Sequence, residues 1–253
     1  LHPKEPMTAK TIQLIGEQRH PATVFDPYSD DAKIREESIR CANIAASVQL
    51  RLEQALLHIL KHAKETTGEK NLCLAGGVAL NASANRVIAE SGLFEQIWAQ
   101  PAAGDAGGAL GAALWAWHSL HSQEQRSEQS ISLGKSWDKE KTIEYLEDFG
   151  LKYTDTSSNL VEAVSTDLAA GKVVGWMHGR FEWGPRALGY RSILASPANK
   201  ETADRINTMV KFREVFRPFA PMCLEAQADD YFDIPGAARP MLPYMMCTVG
   251  VRE

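Results

Sequence analysis

The stretch from Asn71 to His118 limits the possible folds most tightly. Asn71-Leu72-Cys73-Leu74-Ala75 has the pattern of a short apolar strand and runs straight into Gly76-Gly77-Val78-Ala79-Leu80-Asn81. A helical stretch follows from about Ala82 to Ser91, then a second strand pattern at Gln96-Ile97-Trp98-Ala99. Pro101-Ala102-Ala103-Gly104-Asp105-Ala106-Gly107-Gly108 then turns the chain into an Ala- and Trp-rich helix over Ala109 to His118. Strand, Gly-Gly turn, helix, strand, Gly-Asp turn, helix is an α/β alternation, and such folds gather their functional loops at strand ends.

The flanking segments extend this pattern. Residues 1 to 30 are rich in Pro and polar residues and read as irregular or strand-like around Thr11-Ile12-Gln13-Leu14-Ile15. From Asp31 to Thr66, Cys41, Ala45, Val48, Leu52, Ala55, Ile59 and Ala63 recur at three- and four-residue steps, which predicts a helix ended near Gly68. The polar run Ser119 to Ser132 marks a domain boundary, dividing the chain into 1–125 and 135–253. Beyond it come a helix near Lys139 to Phe149, a strand at Leu151-Lys152-Tyr153 and a helix from Leu160 to Ala170. A strand at Lys172 to Met177, a helix over Glu201 to Val210 and a strand over Met241 to Val249 complete the pattern. The absence of an initiator Met and a strand four residues from the end suggest a fragment or a processed product.

The chain has 253 residues, 44% of them hydrophobic and 23% charged, enough for a substantial core in one large or two ordinary domains. No run approaches the roughly 18 apolar residues that span a bilayer, and the N-terminus does not read as a signal peptide. Cys41, Cys73, Cys223 and Cys247 are far apart and lack metal-ligand spacing, so free thiols in a reducing cytoplasm are expected. The net charge of −5 argues against broad nucleic-acid binding.

Against that acidic background lies a basic island. Arg180 to Arg217 holds eight Lys/Arg and four Asp/Glu, a local +4 that leaves −9 for the rest. Glycines, prolines and aromatics interleave the cations, as in Gly184-Pro185-Arg186 and Lys211-Phe212-Arg213. The pattern suits an anion site, because arginine forks match phosphate and carboxylate while glycine lets the backbone approach. The competing reading is a run of surface arginines paired with Glu182, Glu201, Asp204 and Glu214.

Four other places offer chemistry. Gly76-Gly77 can admit a ligand to the backbone at a helix start. Asn81 reads as a helix N-cap or a ligand contact, and Asp105 as a cap, a metal ligand or a water-orienting carboxylate. Gly107, Gly108, Gly111 and Ala112 read as close-packing positions. His58 and His62 have metal-pair spacing but no acidic or cysteine partner nearby in sequence, and read as helix-surface residues.

Four stretches occur together and in this order: Gly-Gly-Val-Ala-Leu-Asn, Gly-Asp-Ala-Gly-Gly-Ala-Leu-Gly-Ala-Ala, Gly-Arg-Phe-Glu-Trp-Gly-Pro-Arg-Ala-Leu-Gly-Tyr-Arg-Ser-Ile-Leu, and Lys-Phe-Arg-Glu followed by Arg-Pro-Phe-Ala-Pro. Over roughly residues 30 to 253 the chain resembles the O-carbamoyltransferases of nodulation-factor, cephamycin and aminoglycoside-antibiotic biosynthesis. The resemblance implies the C-terminal part of an actin-like (ASKHA) domain over 1–125, and part of a YrdC-like α/β domain over 135–253. It implies that carbamoyl phosphate and ATP give carbamoyladenylate, whose carbamoyl group passes to the hydroxyl of a small-molecule acceptor. Arg186, Lys211 and Arg217 would bind carbamoyl phosphate and the ATP phosphates, and Gly76, Gly77 and Asn81 the adenylate. Asp105 would be an iron (Fe2+) ligand, with Mg2+ a second candidate ion. The early half of the actin-like domain, with its paired-histidine metal motif, has no match in this sequence, so half of each site and no activity alone are expected.

Two related enzymes share the adenylate chemistry: a threonylcarbamoyl-adenylate-type protein acting on tRNA, and a hydrogenase-maturation carbamoyltransferase. The latter would carry cysteine clusters that this sequence lacks. A nucleotide- or anion-binding module without catalysis is the non-enzyme reading.

Overall fold

The computed structural model describes residues 9–20, 23–121 and 130–252. The chain divides into two compact units between Leu60 and Lys61. Residues 122–129 of the expected boundary lie outside the described residues, as do Leu1 to Thr8.

The first unit holds helix α1 (Ala9–Ile15) and most of helix α2 (Ala32–Thr67), which continues into the second. α1 corrects the irregular or strand-like expectation for Thr11 to Ile15. The helix closes on Gly16, whose N–H donates to Ile12 at 2.8 Å with φ +87°, a geometry that favours glycine. Arg40 donates to the main-chain oxygens of Ile15 and Glu17, satisfying carbonyls at that end. α2 starts where Asp31 accepts from Lys33 and Ile34, and closes at Gly68, φ +71°, as its periodicity predicts. His58 and His62 lie exposed along it.

In the second unit β1 (Asn71–Leu74) and β2 (Gln96–Ala99) pair in parallel, Asn71 opposite Gln96 and Leu74 opposite Ala99. Between them run a 3-10 turn (Gly77–Leu80) and helix α3 (Ala82–Glu90), the βαβ unit that the alternation predicts. Ala84, Ile88, Phe94, Ile97 and Ala99 form its buried centre. Helix α4 (Gly107–Leu120) leaves the second strand with no buried residue, and Trp115 is 75% exposed.

Helices α5 (Lys139–Asp148) and α6 (Leu160–Ala169) fall where expected. The strand expected at Leu151 to Tyr153 does not form. Gly150 adopts φ +62° and the Leu151 N–H turns back to the Leu146 carbonyl at 2.8 Å, spending that donor on the helix C-terminus. β3 (Val174–Met177) and β4 (Arg191–Leu194) form an antiparallel pair joined by residues 178–190 of the basic island. Helix α7 (Lys200–Arg205) widens into a π-turn (Ile206–Val210). A short helix α8 (Ala228–Tyr231) precedes β5 (Phe232–Asp233), which pairs with β6 (Gly250–Val251).

The strand expected over Met241 to Val249 is instead a 3-10 helix (Gly236–Tyr244), followed by Met245 at φ +54°. Pro243 removes a donor that a ladder needs and Pro240 stands just before the run, while Met241 and Met246 become fully buried. The segment packs on the βαβ unit: Tyr244 meets Trp98 edge-on at 5.3 Å, and buried Asn85 donates to Ala79 and Met246 at 2.8 and 2.7 Å. Among the described residues the architecture is mixed α/β, with three two-stranded sheets.

Candidate functional site

Three loops converge in the second unit. The first is the Gly-Gly turn, where Gly76 holds φ +95° and its N–H donates to Ala103 at 2.8 Å. The second is the loop before α4: a Cβ on Gly104 would meet the Leu80 side chain at 3.6 Å and the Gly77 Cα at 4.0 Å. The third is the Gly184-Pro185-Arg186 turn, whose Gly184 (φ +117°) lies against the Pro101 carbonyl, 3.3 Å from where a Cβ would stand. Arg186 completes the junction by donating from Nη2 to the Leu80 oxygen at 2.8 Å.

Arg186 is the electrostatically unusual member. Its Nε is buried without a hydrogen-bond partner, and burial lowers its pKa from the ordinary arginine value. A guanidinium that keeps one committed and one orphaned donor is poised for an acceptor such as a phosphate or carboxylate oxygen. Beside it the backbone is open, for a Cβ on Gly76 or Gly77 would meet nothing within 4 Å.

Asn81 is the N-cap of α3, its side-chain oxygen accepting from the Ala84 N–H at 3.0 Å. Asp105 does not cap α4. The cap position belongs to Ala106 without a side-chain bond, and the exposed Asp105 carboxylate makes no hydrogen bond or ion pair among the described residues. Among the described residues no group of three His, Cys, Asp or Glu is placed to hold a metal. A lone carboxylate does not fit an iron site, which takes several ligands of suitable type. Of the small residues before and in α4, Gly107 is the one that packing requires, since a Cβ there would collide with the Ala102 carbonyl.

The other cations of the island have separate tasks. Arg180 donates to Gly134 and Leu133, tying the segment after the polar run to the island. Arg205 donates to Gly171. Arg213 donates to Asn207 at 2.6 Å and stacks 4.8 Å from the Phe219 ring centroid. Arg217 approaches Glu214 at 4.0 Å, while the exposed Lys211 side chain has no ion-pair partner among the described residues. No hydrogen bond or ion pair links Lys211 or Arg217 to Arg186. Of the acids proposed as surface partners, Glu182 and Glu214 pair with island arginines.

Two organisers escaped the sequence reading. Glu182 has a fully buried side chain. One oxygen accepts from the N–H groups of Leu188, Tyr190 and Arg191 at 2.7, 2.8 and 3.0 Å, and the other from Arg191 Nε at 2.9 Å. Burial pushes its pKa up, but these donors outweigh it and hold it at about 2. Asn207, 1% exposed, donates to the carbonyls of Val215 and Arg217 and so shapes the Lys211–Arg217 loop. A polar residue amid helical periodicity was the only available signal for Asn207. For Glu182 nothing in the spacing separates an organiser from a surface acid.

Two glycine loops and one half-buried arginine thus meet in a mixed α/β chain. Two family models match the chain. Carbamoyltransferase N-terminus matches residues 11–114, and Carbamoyltransferase C-terminus matches residues 165–253. The nodulation protein NolO of Bradyrhizobium diazoefficiens is 43% identical over 83% of this chain and 39% of its own length. The nodulation protein NolNO of Sinorhizobium fredii is 42% identical over 83% of this chain and 31% of its own. Nodulation protein U of Rhizobium tropici is 36% identical over 85% and 36%. The chain belongs to the carbamoyltransferase family and is thus related to transferases. It spans about a third of the length of the curated relatives that it matches.

Proposed function

We propose that this chain is part of an ATP-dependent O-carbamoyltransferase, in which water takes the phosphate from carbamoyl phosphate, the carbamate left displaces pyrophosphate from ATP to give carbamoyladenylate, and an acceptor hydroxyl then takes the carbamoyl group with release of AMP. The observation that carries the reading is Arg186, half-buried between two glycine loops with an orphaned Nε. The carbamoyl donor and ATP bear several negative charges, and phosphoryl chemistry is catalysed chiefly by positioning and charge neutralisation. Arg186 grips a phosphate oxygen, with Lys211 and Arg217 supplying further positive charge when ligand is bound. The open backbone at Gly76 and Gly77 receives the adenylate.

Residues 1–125 belong, in this reading, to the second lobe of an actin-like domain and 135–253 to a YrdC-like domain. The acceptor is a small molecule. Iron is assigned no step, because the residues described here do not make a site for it.

The test is titration calorimetry of the chain with carbamoyl phosphate and with ATP, together with pyrophosphate release. Binding by the chain supports the anion site; pyrophosphate release once the chain is joined to the rest of its protein supports the enzyme reading, and binding without release there supports an anion-binding module. No binding of either compound overturns both.

A further inference from the structure

The loop that carries Arg186 is built around one carboxylate. Glu182 and Arg191 bracket residues 183–190, and Glu182 Oε1 accepts from the N–H groups of Leu188, Tyr190 and Arg191 at the far end of the loop. Arg191 closes the ring in the other direction, donating from Nη2 to the Glu182 carbonyl at 2.9 Å as well as from Nε to the carboxylate. Gly184 and Gly189 take φ +117° and +98°, bends that let the loop turn back on itself. Arg186 lies between those bends, and among the described residues its side chain is held by one hydrogen bond, to the Leu80 carbonyl. The loop has no secondary structure of its own; the carboxylate gathers most of its ties, beside those of Gly189 to Trp176 Nε1 and Ser192 Oγ and of the Trp183 N–H to the Ile131 carbonyl.

We infer that Glu182 is the positioning residue for anion capture, holding the 183–190 loop in the one shape that aims the Arg186 guanidinium at a bound phosphate oxygen. It touches no ligand itself. Its charge is required because one oxygen serves three N–H donors at once, and a neutral amide would set an NH2 group against donors. The ligand class is an anion with a terminal phosphate, and the inference rests on the anion-binding reading given above.

The test is a double-mutant cycle on carbamoyl phosphate affinity, followed by phosphorus NMR and calorimetry on the full chain. The variants are Arg186→Ala, Glu182→Gln and the double variant, with melts recorded for each. Arg186→Ala is expected to weaken binding by about ten- to a hundredfold. Glu182→Gln should weaken it by a similar factor, and adding it to Arg186→Ala should cost nothing further. A merely structural role gives a different result, in which Glu182→Gln weakens the Arg186→Ala protein by its full factor because the whole site is loosened. That outcome overturns the inference. If Glu182→Gln does not melt cooperatively, Glu182→Asp, which keeps the charge on a shorter arm, replaces it in the same cycle and is judged in the same way. Wild-type affinity in the Glu182 variants beside weakened Arg186→Ala overturns the positioning role alone. Wild-type affinity in Arg186→Ala removes the anion-binding reading and the inference together.

Discussion

Arg186 donates from Nη2 to the main-chain oxygen of Leu80 at 2.8 Å, joining two loops 106 residues apart in sequence. The contact brings the basic island to the Gly-Gly turn and leaves Nε buried without a partner. An unsatisfied buried donor costs on the order of 1–3 kcal/mol. In the proposed reading, a bound anion would supply the acceptor that this Nε lacks.

Arg186→Ala should therefore weaken carbamoyl phosphate or ATP binding far more than it weakens the fold. Arg186→Lys should not restore it, since lysine keeps the charge but loses the planar fork. Arg205→Ala is the control, because Arg205 holds the Gly171 carbonyl away from the junction. Calorimetry on the three variants decides the matter. Equal losses at Arg186 and Arg205 would make the island a surface feature.

Gly76 and Gly77 separate backbone strain from ligand contact. Gly76→Ala places a Cβ on a residue at φ +95° and should lower stability by about 1–2 kcal/mol. Gly77→Ala meets nothing within 4 Å and requires no left-handed backbone. It should leave the melting temperature nearly unchanged yet weaken ATP binding. ATP affinity like wild type in Gly77→Ala would remove the adenylate role from this turn.

Asp105 should not suffice to hold iron. Purified chain is expected to carry iron far below one equivalent by metal analysis, with no change in Asp105→Ala, because no group of three metal-ligating residues gathers among the described residues. Stoichiometric iron that disappears in Asp105→Ala would overturn this expectation and restore the metal role.

Glu182 gives the fold an acid limb. Its pKa falls from 4.5 to about 2 on folding, so its contribution is complete above the unfolded value and is lost as pH falls through the folded one. The shift corresponds to roughly 3 kcal/mol by linkage, an order of magnitude that holds because the carboxylate is fully buried. Denaturant titrations of wild type and Glu182→Gln should differ widely at pH 6 and converge as pH drops from about 4.5 towards about 2. A difference that stays constant across that window would assign the effect to shape rather than charge.

Much of the local structure was legible before any coordinates. The three- and four-residue steps from Cys41 to Ala63 predict α2, and the apolar runs at Asn71 to Leu74 and Gln96 to Ala99 predict the strands, because burial periodicity is written into neighbouring residues. The cap at Asn81 and the helix stop at Gly68 are equally local, set by one side chain or one positive φ. Elsewhere local preference lost to context. The apolar run Met241 to Val249 reads as a strand, yet Pro243 within it removes a ladder donor, and Met241 is buried in a 3-10 helix that packs on the βαβ unit. Nothing near Asp105 in sequence distinguishes a cap from an exposed carboxylate, and the structure leaves it uncapping and without a partner among the described residues. The three-loop junction and the two buried organisers, Glu182 and Asn207, belong to tertiary structure alone. Charge and spacing identify which residues are able to bind an anion. Which of them is half-buried with a donor left over depends on what the rest of the chain places beside it, and only folding decides that.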